Sequence, residues 1–253
     1  MRKQLLLIAG IFFSLLTLAQ EQPAELITDR PDQTESSVTV PLKSLQIETG
    51  FVSEQSTLNN ISVNSYAYNT TLLRYGLLKN LELRMGLEYL GSNVTNAITG
   101  FGPLYTGFKI KVQKEDGWKP DVAFLAGLNL PFSANDYYKS ENTGAGMRFA
   151  FAHTLSENFS LGYNLGAEWN GESAIPGYFY SVAAGIRITK SVGMFVESYG
   201  LIPETGQPEH LLDAGFTLLL LANLQLDISG GIGLNEQASD HFISFGLSFR
   251  IPE

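Results

Sequence analysis

Between Asn80 and Leu90 the chain reads NLELRMGLEYL, and apolar and polar positions alternate without a break. Leu81, Leu83, Met85, Leu87 and Tyr89 fall on one side, and Glu82, Arg84, Gly86 and Glu88 on the other, which is the two-residue period of a β-strand. A run of about ten residues that ends in an aromatic fits a strand crossing an outer membrane, its apolar side to lipid and its charged side to a lumen. The same module recurs to the C-terminus. It predicts strands at 43–54, 65–76, 80–91, 101–113, 120–131, 143–155, 158–170, 177–189, 192–202, 210–221, 223–235 and 241–251.

The links between these strands alternate in length. Gln55 to Asn64, Phe132 to Asn142 and Ile202 to Glu209 are long and polar, whereas Leu77 to Lys79, Ser156 with Glu157, Lys190 with Ser191, and Ala222 are short. Long external loops and short periplasmic turns are the pattern of a bacterial barrel whose termini both lie on the periplasmic side. Tyr66, Tyr89, Tyr137, Tyr138, Trp169, Tyr178, Tyr180 and Tyr199 lie beside the long links, where an external aromatic girdle is expected. The fold class is therefore all-β: a single transmembrane antiparallel up-and-down β-barrel of about twelve strands, spanning 43–253.

Composition narrows the function classes. The 253 residues include 25 glycines and no cysteine, so disulfides and thiol-ligated metals are excluded. A net charge of −9 argues against nucleic acid, whose binding needs a basic face. Catalysis of the hydrolase type needs a Ser and a His on one wall, but His241 and Ser244 lie three apart on a strand and point to opposite sides, as do His153 and Ser156. Gly230, Gly231 and Gly233 are followed by no helical pattern and make no phosphate loop. We expect no enzyme activity, no cofactor and no metal.

Two segments precede the barrel. Residues 1–19 carry Arg2 and Lys3, an apolar run from Leu5 to Leu18, and small residues at Thr17 and Ala19, which predicts a cleaved export signal. Residues 20–42 are polar and broken by Pro31 and Pro41, so they form no strand. Asp29, Arg30, Asp32 and Glu35 make this segment either a solvated tail or a lumen plug held by ion pairs to the wall. Arg30 is the expected anchor, because its planar fork can hold a wall carboxylate at two points.

The stretch TDRPDQTESSVTVPLKSLQIETGF, Thr28 to Phe51, resembles the start of outer-membrane proteins of the transporter family of the MetA pathway of phenol degradation, many of them from Bacteroidetes-type bacteria. The resemblance rests on Thr28, Asp29, Arg30, Pro31, Asp32, Thr34, Glu35 and Ser36, then Val40, Pro41, Gly50 and Phe51. It implies an exported Gram-negative β-barrel that passes small molecules.

With the apolar set of each strand turned to lipid, the lumen receives Glu48, Glu82, Glu88, Glu168, Glu197, Asp213 and Asp227 together with Arg84, Lys109, Lys111, Arg148, Arg187 and Arg250. A face of that kind is either a polar filling or the wall of a narrow channel. About twelve strands lie between the filled eight-stranded barrels and the open 16-stranded ones. The expected function is a porin-like channel for small molecules, with aromatic or apolar cargo and outer-membrane lipid as its partners. The alternative is a non-conducting barrel with a surface-binding or structural role.

Overall fold

The computed structural model describes residues 24–58, 61–93 and 97–252. They form thirteen strands: β1 Leu45–Leu58, β2 Ile61–Leu78, β3 Leu81–Ser92, β4 Ile98–Phe101, β5 Leu104–Gln113, β6 Asp121–Leu130, β7 Gly144–Ser156, β8 Phe159–Trp169, β9 Gly177–Arg187, β10 Val192–Ile202, β11 Glu209–Leu221, β12 Leu224–Gly233 and β13 His241–Ile251. One short 3-10 turn, Pro131–Ser133, follows β6. Every neighbouring pair is antiparallel, and β13 returns to β1 in register from Leu45↔Ile251 to Gln55↔His241, which closes the sheet.

The wall has twelve positions, because β4 and β5 share one. Strand β3 pairs with β5 through Leu81↔Ile110 to Gly86↔Tyr105 and with β4 through Tyr89↔Phe101 to Ser92↔Ile98. The single strand expected at 101–113 is thus interrupted at Gly102 and Pro103, where proline has no N–H to give the ladder. A second difference lies in the first external link. The expected loop Gln55 to Asn64 is mostly strand, since β1 runs on to Leu58 and β2 begins at Ile61. This stretch is tied down by Thr57 donating to Asp240 and by the Asp240 N–H donating to the Gln55 carbonyl.

Burial is inverted relative to a soluble sheet. In β3 the apolar Leu83 and Met85 are 44% and 45% exposed, while Glu82 and Arg84 beside them are 0% and 3% exposed. The outward face suits hydrocarbon, and the inward face must satisfy its charges within the barrel. Outward aromatics collect near the long-link end, where Phe51, Tyr66, Tyr68, Tyr89 and Phe101 touch in sequence at 5.2–6.5 Å between rings. Tyr199, expected in that girdle, instead faces inward and packs against Leu211, Ala238 and Phe242 at the mouth.

Candidate functional site

The interior is occupied by residues 24–42. The described part of this segment begins among Arg187 and Arg250 at the end where β13 finishes, rises into the barrel, and descends to Pro41 before β1. Two close approaches fix its path. A Cβ on Gly76 would overlap the Pro41 carbonyl, so that wall position needs glycine, and one on Gly246 would push the Arg30 guanidinium off Asp227. Lys43 turns the chain into β1 with φ 62, and its N–H donates to the Gly76 carbonyl at 2.7 Å.

On the side of β2, β3 and β5 the segment meets cations. The Asp29 carboxylate lies 3.0 Å from Arg74, 2.7 Å from Arg84 and 2.7 Å from Lys109, and its backbone N–H donates to Glu48 at 2.9 Å. Arg74 also binds Glu48 at 2.8 Å and Glu82 at 2.9 Å. Both oxygens of Glu35 accept from one nitrogen, Nη2, of Arg84, at 2.8 and 2.9 Å. The Val40 N–H donates to Glu82 at 2.8 Å, and Lys111 holds Asp121 and the Ser37 carbonyl. Burial works against the charge of Asp29, but Arg74, Lys109 and Arg84 together outweigh it and hold the carboxyl well below the ordinary range.

The side of β10, β11 and β12 is acidic. Glu197 accepts from the Gln33 N–H at 2.7 Å and from the Thr34 hydroxyl, which also lies 2.7 Å from Ser181. Asp213 is the direct cross-strand partner of Glu197; it is 3% exposed, and neither of its carboxylate oxygens has a hydrogen bond among the described residues. Asp227 receives Arg30 at 3.0 Å, and Arg30 also donates to Ser244 and Thr70. Asp32 forms no ion pair among the described residues. Burial first, and Glu197 next, push its carboxyl well above the ordinary range.

The remaining wall charges expected from the pattern also lie inside. Arg148 donates to the Gln33 carbonyl, pairs with Glu168 at 2.9 Å and sits 3.8 Å over the Phe179 ring. Arg187 pairs with Glu25 at the mouth, Arg250 holds the carbonyls of Ala24 and Glu25, and Glu88 lines the upper cavity. Arg30 touches its carboxylate through one nitrogen only, and the two-point pair belongs to Arg74, whose Nε and Nη2 donate to the two oxygens of Glu82 at 2.9 and 3.0 Å. The most heavily paired residue of the segment is Asp29.

Sequence reasoning passed over Arg74, the hub of the cationic side, and also Asn164, which binds the Glu35 backbone at both its N–H and its carbonyl. Around Arg74 the alternation is blurred, because Leu72 faces inward and register shifts occur at Ala67/Asn69 and Gly76/Leu78. The segment divides the lumen into two cavities. One of about 540 Å³ lies on the side of the long links, and one of about 570 Å³ lies on the side of the termini. Arg30, Pro31, Asp32 and Glu35 line both.

A family model described as "Putative MetA-pathway of phenol degradation" matches residues 28–251. The chain belongs to this family. Among solved structures, an outer membrane channel from Pseudomonas putida F1 superposes with a TM-score of 0.69 at 13% identity, covering 87% of this chain and 99% of that one. The KdgM porin matches with a TM-score of 0.50 at 10% identity over 81% of this chain and 98% of its own. The transport unit of the autotransporter AIDA-I from Escherichia coli matches at 0.52 and 11% identity, over 94% and 96%. At such identities the likeness is one of fold: a closed antiparallel barrel of the outer-membrane type. No curated protein matches the chain. The signal expected at residues 1–19 lies outside the described residues.

Proposed function

We propose that this member of the family is an outer-membrane channel for small molecules, exported by residues 1–19 and closed at rest by its own segment 24–42. The observation that carries the reading is the division of a twelve-position barrel into an upper and a lower cavity by a segment of the same chain. A barrel of this circumference can leave an aqueous lumen. Ordering the segment costs roughly 1–2 kcal/mol per residue in backbone entropy, so it stays inside only because many charge-assisted bonds form together. The family description favours small aromatic cargo, and the mixed apolar and polar lining of the upper cavity, with Val52, Leu72, Tyr105 and Phe242, is compatible with it.

The test is single-channel conductance. Removing Gln20 to Ser36 should raise conductance in a planar bilayer while leaving the barrel folded by heat-modifiable migration. Unchanged conductance and ion selectivity would make the segment a tether. The competing reading is a non-conducting barrel, favoured by the completeness of the pairing around Asp29. Continued silence of the deleted protein in both the bilayer and liposome swelling would support it.

A further inference from the structure

The upper cavity is uneven in charge. Six carboxylates line it, namely Asp29, Asp32, Glu35, Glu48, Glu54 and Glu88, against two cations, Arg30 and Arg84. Both cations are already committed, Arg84 to Asp29, Glu35 and Glu82, and Arg30 to Asp227. Asp29, Glu35 and Glu48 are likewise matched within the cationic network. Among the described residues this leaves Asp32, Glu54 and Glu88 with no ion pair, and no cation to spare.

Behind Asp32 the deficit continues. Glu197 and Asp213 lie within electrostatic reach of it, and Asp213, 3% exposed, has no partner on either oxygen. A buried carboxyl of this kind is costly to ionise, and no cation among the described residues pairs with it. Tyr199 and Phe242 complete that corner of the cavity, and the rings of Tyr105, Tyr199 and Phe242 offer apolar or cation–π contact to a guest. A cavity of about 540 Å³ is of the size that encloses a small organic molecule.

Resting on the channel reading, we infer that the upper cavity is a binding site for an organic cation: a protonated amine carried on an apolar or aromatic body. The amine compensates Glu54 and Glu88 at the mouth and then Asp32 at the floor. A neutral guest of the same shape gains the ring contacts alone, and a carboxylate is repelled.

Three matched probes test this on the full chain in neutral-lipid nanodiscs by titration calorimetry, with empty nanodiscs as control: 2-phenylethylamine, 2-phenylethanol and 3-phenylpropionate. The amine should bind at least about ten-fold tighter than the alcohol, the order expected of one charge-assisted or desolvated cation–π contact, and the carboxylate most weakly. Glu54→Gln combined with Glu88→Gln should bring amine and alcohol close to parity. These side chains carry no ion pair, so the fold should be indifferent to the change, and the three-probe ranking on the unmodified chain stands without it. An alcohol that binds as tightly as the amine, or a carboxylate that binds best, overturns the inference and leaves the channel reading intact. If none of the three binds, and none enters liposomes through the chain lacking Gln20 to Ser36, both fall.

Discussion

The two sides of the lumen grip the same segment by different chemistry. Arg74, Arg84 and Lys109 on β2, β3 and β5 surround Asp29 and are themselves matched by Glu48, Glu82 and Glu35, so nearly every charge there has an opposite within 3.0 Å. Across the barrel Glu197, Asp213 and Asp227 meet one cation of the segment among the described residues, Arg30, and otherwise neutral donors from Gln33 and Thr34. Breaking a network of matched buried charges at one member costs about 3–5 kcal/mol, whereas a single neutral donor to a carboxylate contributes about 1.5–3 kcal/mol. The difference makes the cationic side the fixed attachment and the acidic side the one that can let go.

Breaking the fixed side should have the largest effect. Arg74→Met leaves Asp29, Glu48 and Glu82 short of their shared partner, and the loss of one member of a buried ionic group costs about 3–5 kcal/mol. Urea unfolding in lipid should show the midpoint falling accordingly, with the segment more accessible to protease. A variant as stable as the parent would mean that the cationic side is not an anchor.

On the acidic side the expected change is smaller and of opposite sign. Asp213→Asn replaces a buried carboxyl that sits against Glu197 and should be neutral or stabilising by about 1 kcal/mol, with the closed state of the channel longer-lived. A destabilisation as large as that of Arg74→Met in the same urea assay would erase the contrast between the walls.

The smallest effect is in pH, and the two sides differ in direction. The depressed Asp29 carboxyl contributes stability that is present above the unfolded value of about 3.9 and is lost only as pH falls through its still lower folded value, so between pH 7 and pH 5 that attachment is constant. For Asp32, raised in the folded state, the contribution is full below about 3.9 and is lost as pH rises through the folded value. Acidification from neutral should therefore tighten the segment. Closed-state occupancy in the bilayer should increase towards pH 5, and Asp32→Asn should flatten the profile while leaving the Asp29 side unaltered.

The barrel itself was legible because lipid outside and charge inside impose a strict two-residue period, seen most plainly from Leu81 to Tyr89. The breaks were less so. Gly102 and Pro103 are visible in the sequence, but whether they bend a strand or split it depends on what β3 offers opposite them. The segment was legible as charge without a partner list. Asp29 outranks Arg30 because Arg74, Arg84 and Lys109, far apart in sequence, converge on one carboxylate, and no local spacing encodes that convergence. Tyr199 looked like an interfacial aromatic because its position beside a long link was clear and the side of the wall it faces was not.

The contacts of Arg30 and Arg250 also bear on the order in which the molecule is put together. Arg30 sits on one of the earliest described stretches of the chain, yet its partners Asp227 and Ser244 belong to β12 and β13, with separations of 197 and 214 residues. Arg250 on the last strand reaches back to Ala24 and Glu25. None of these bonds can form until the whole wall has been made, and contacts of such separation come late and slowly. The segment therefore gains its last attachments only once β12 and β13 are in place, beside the seam where β13 meets β1.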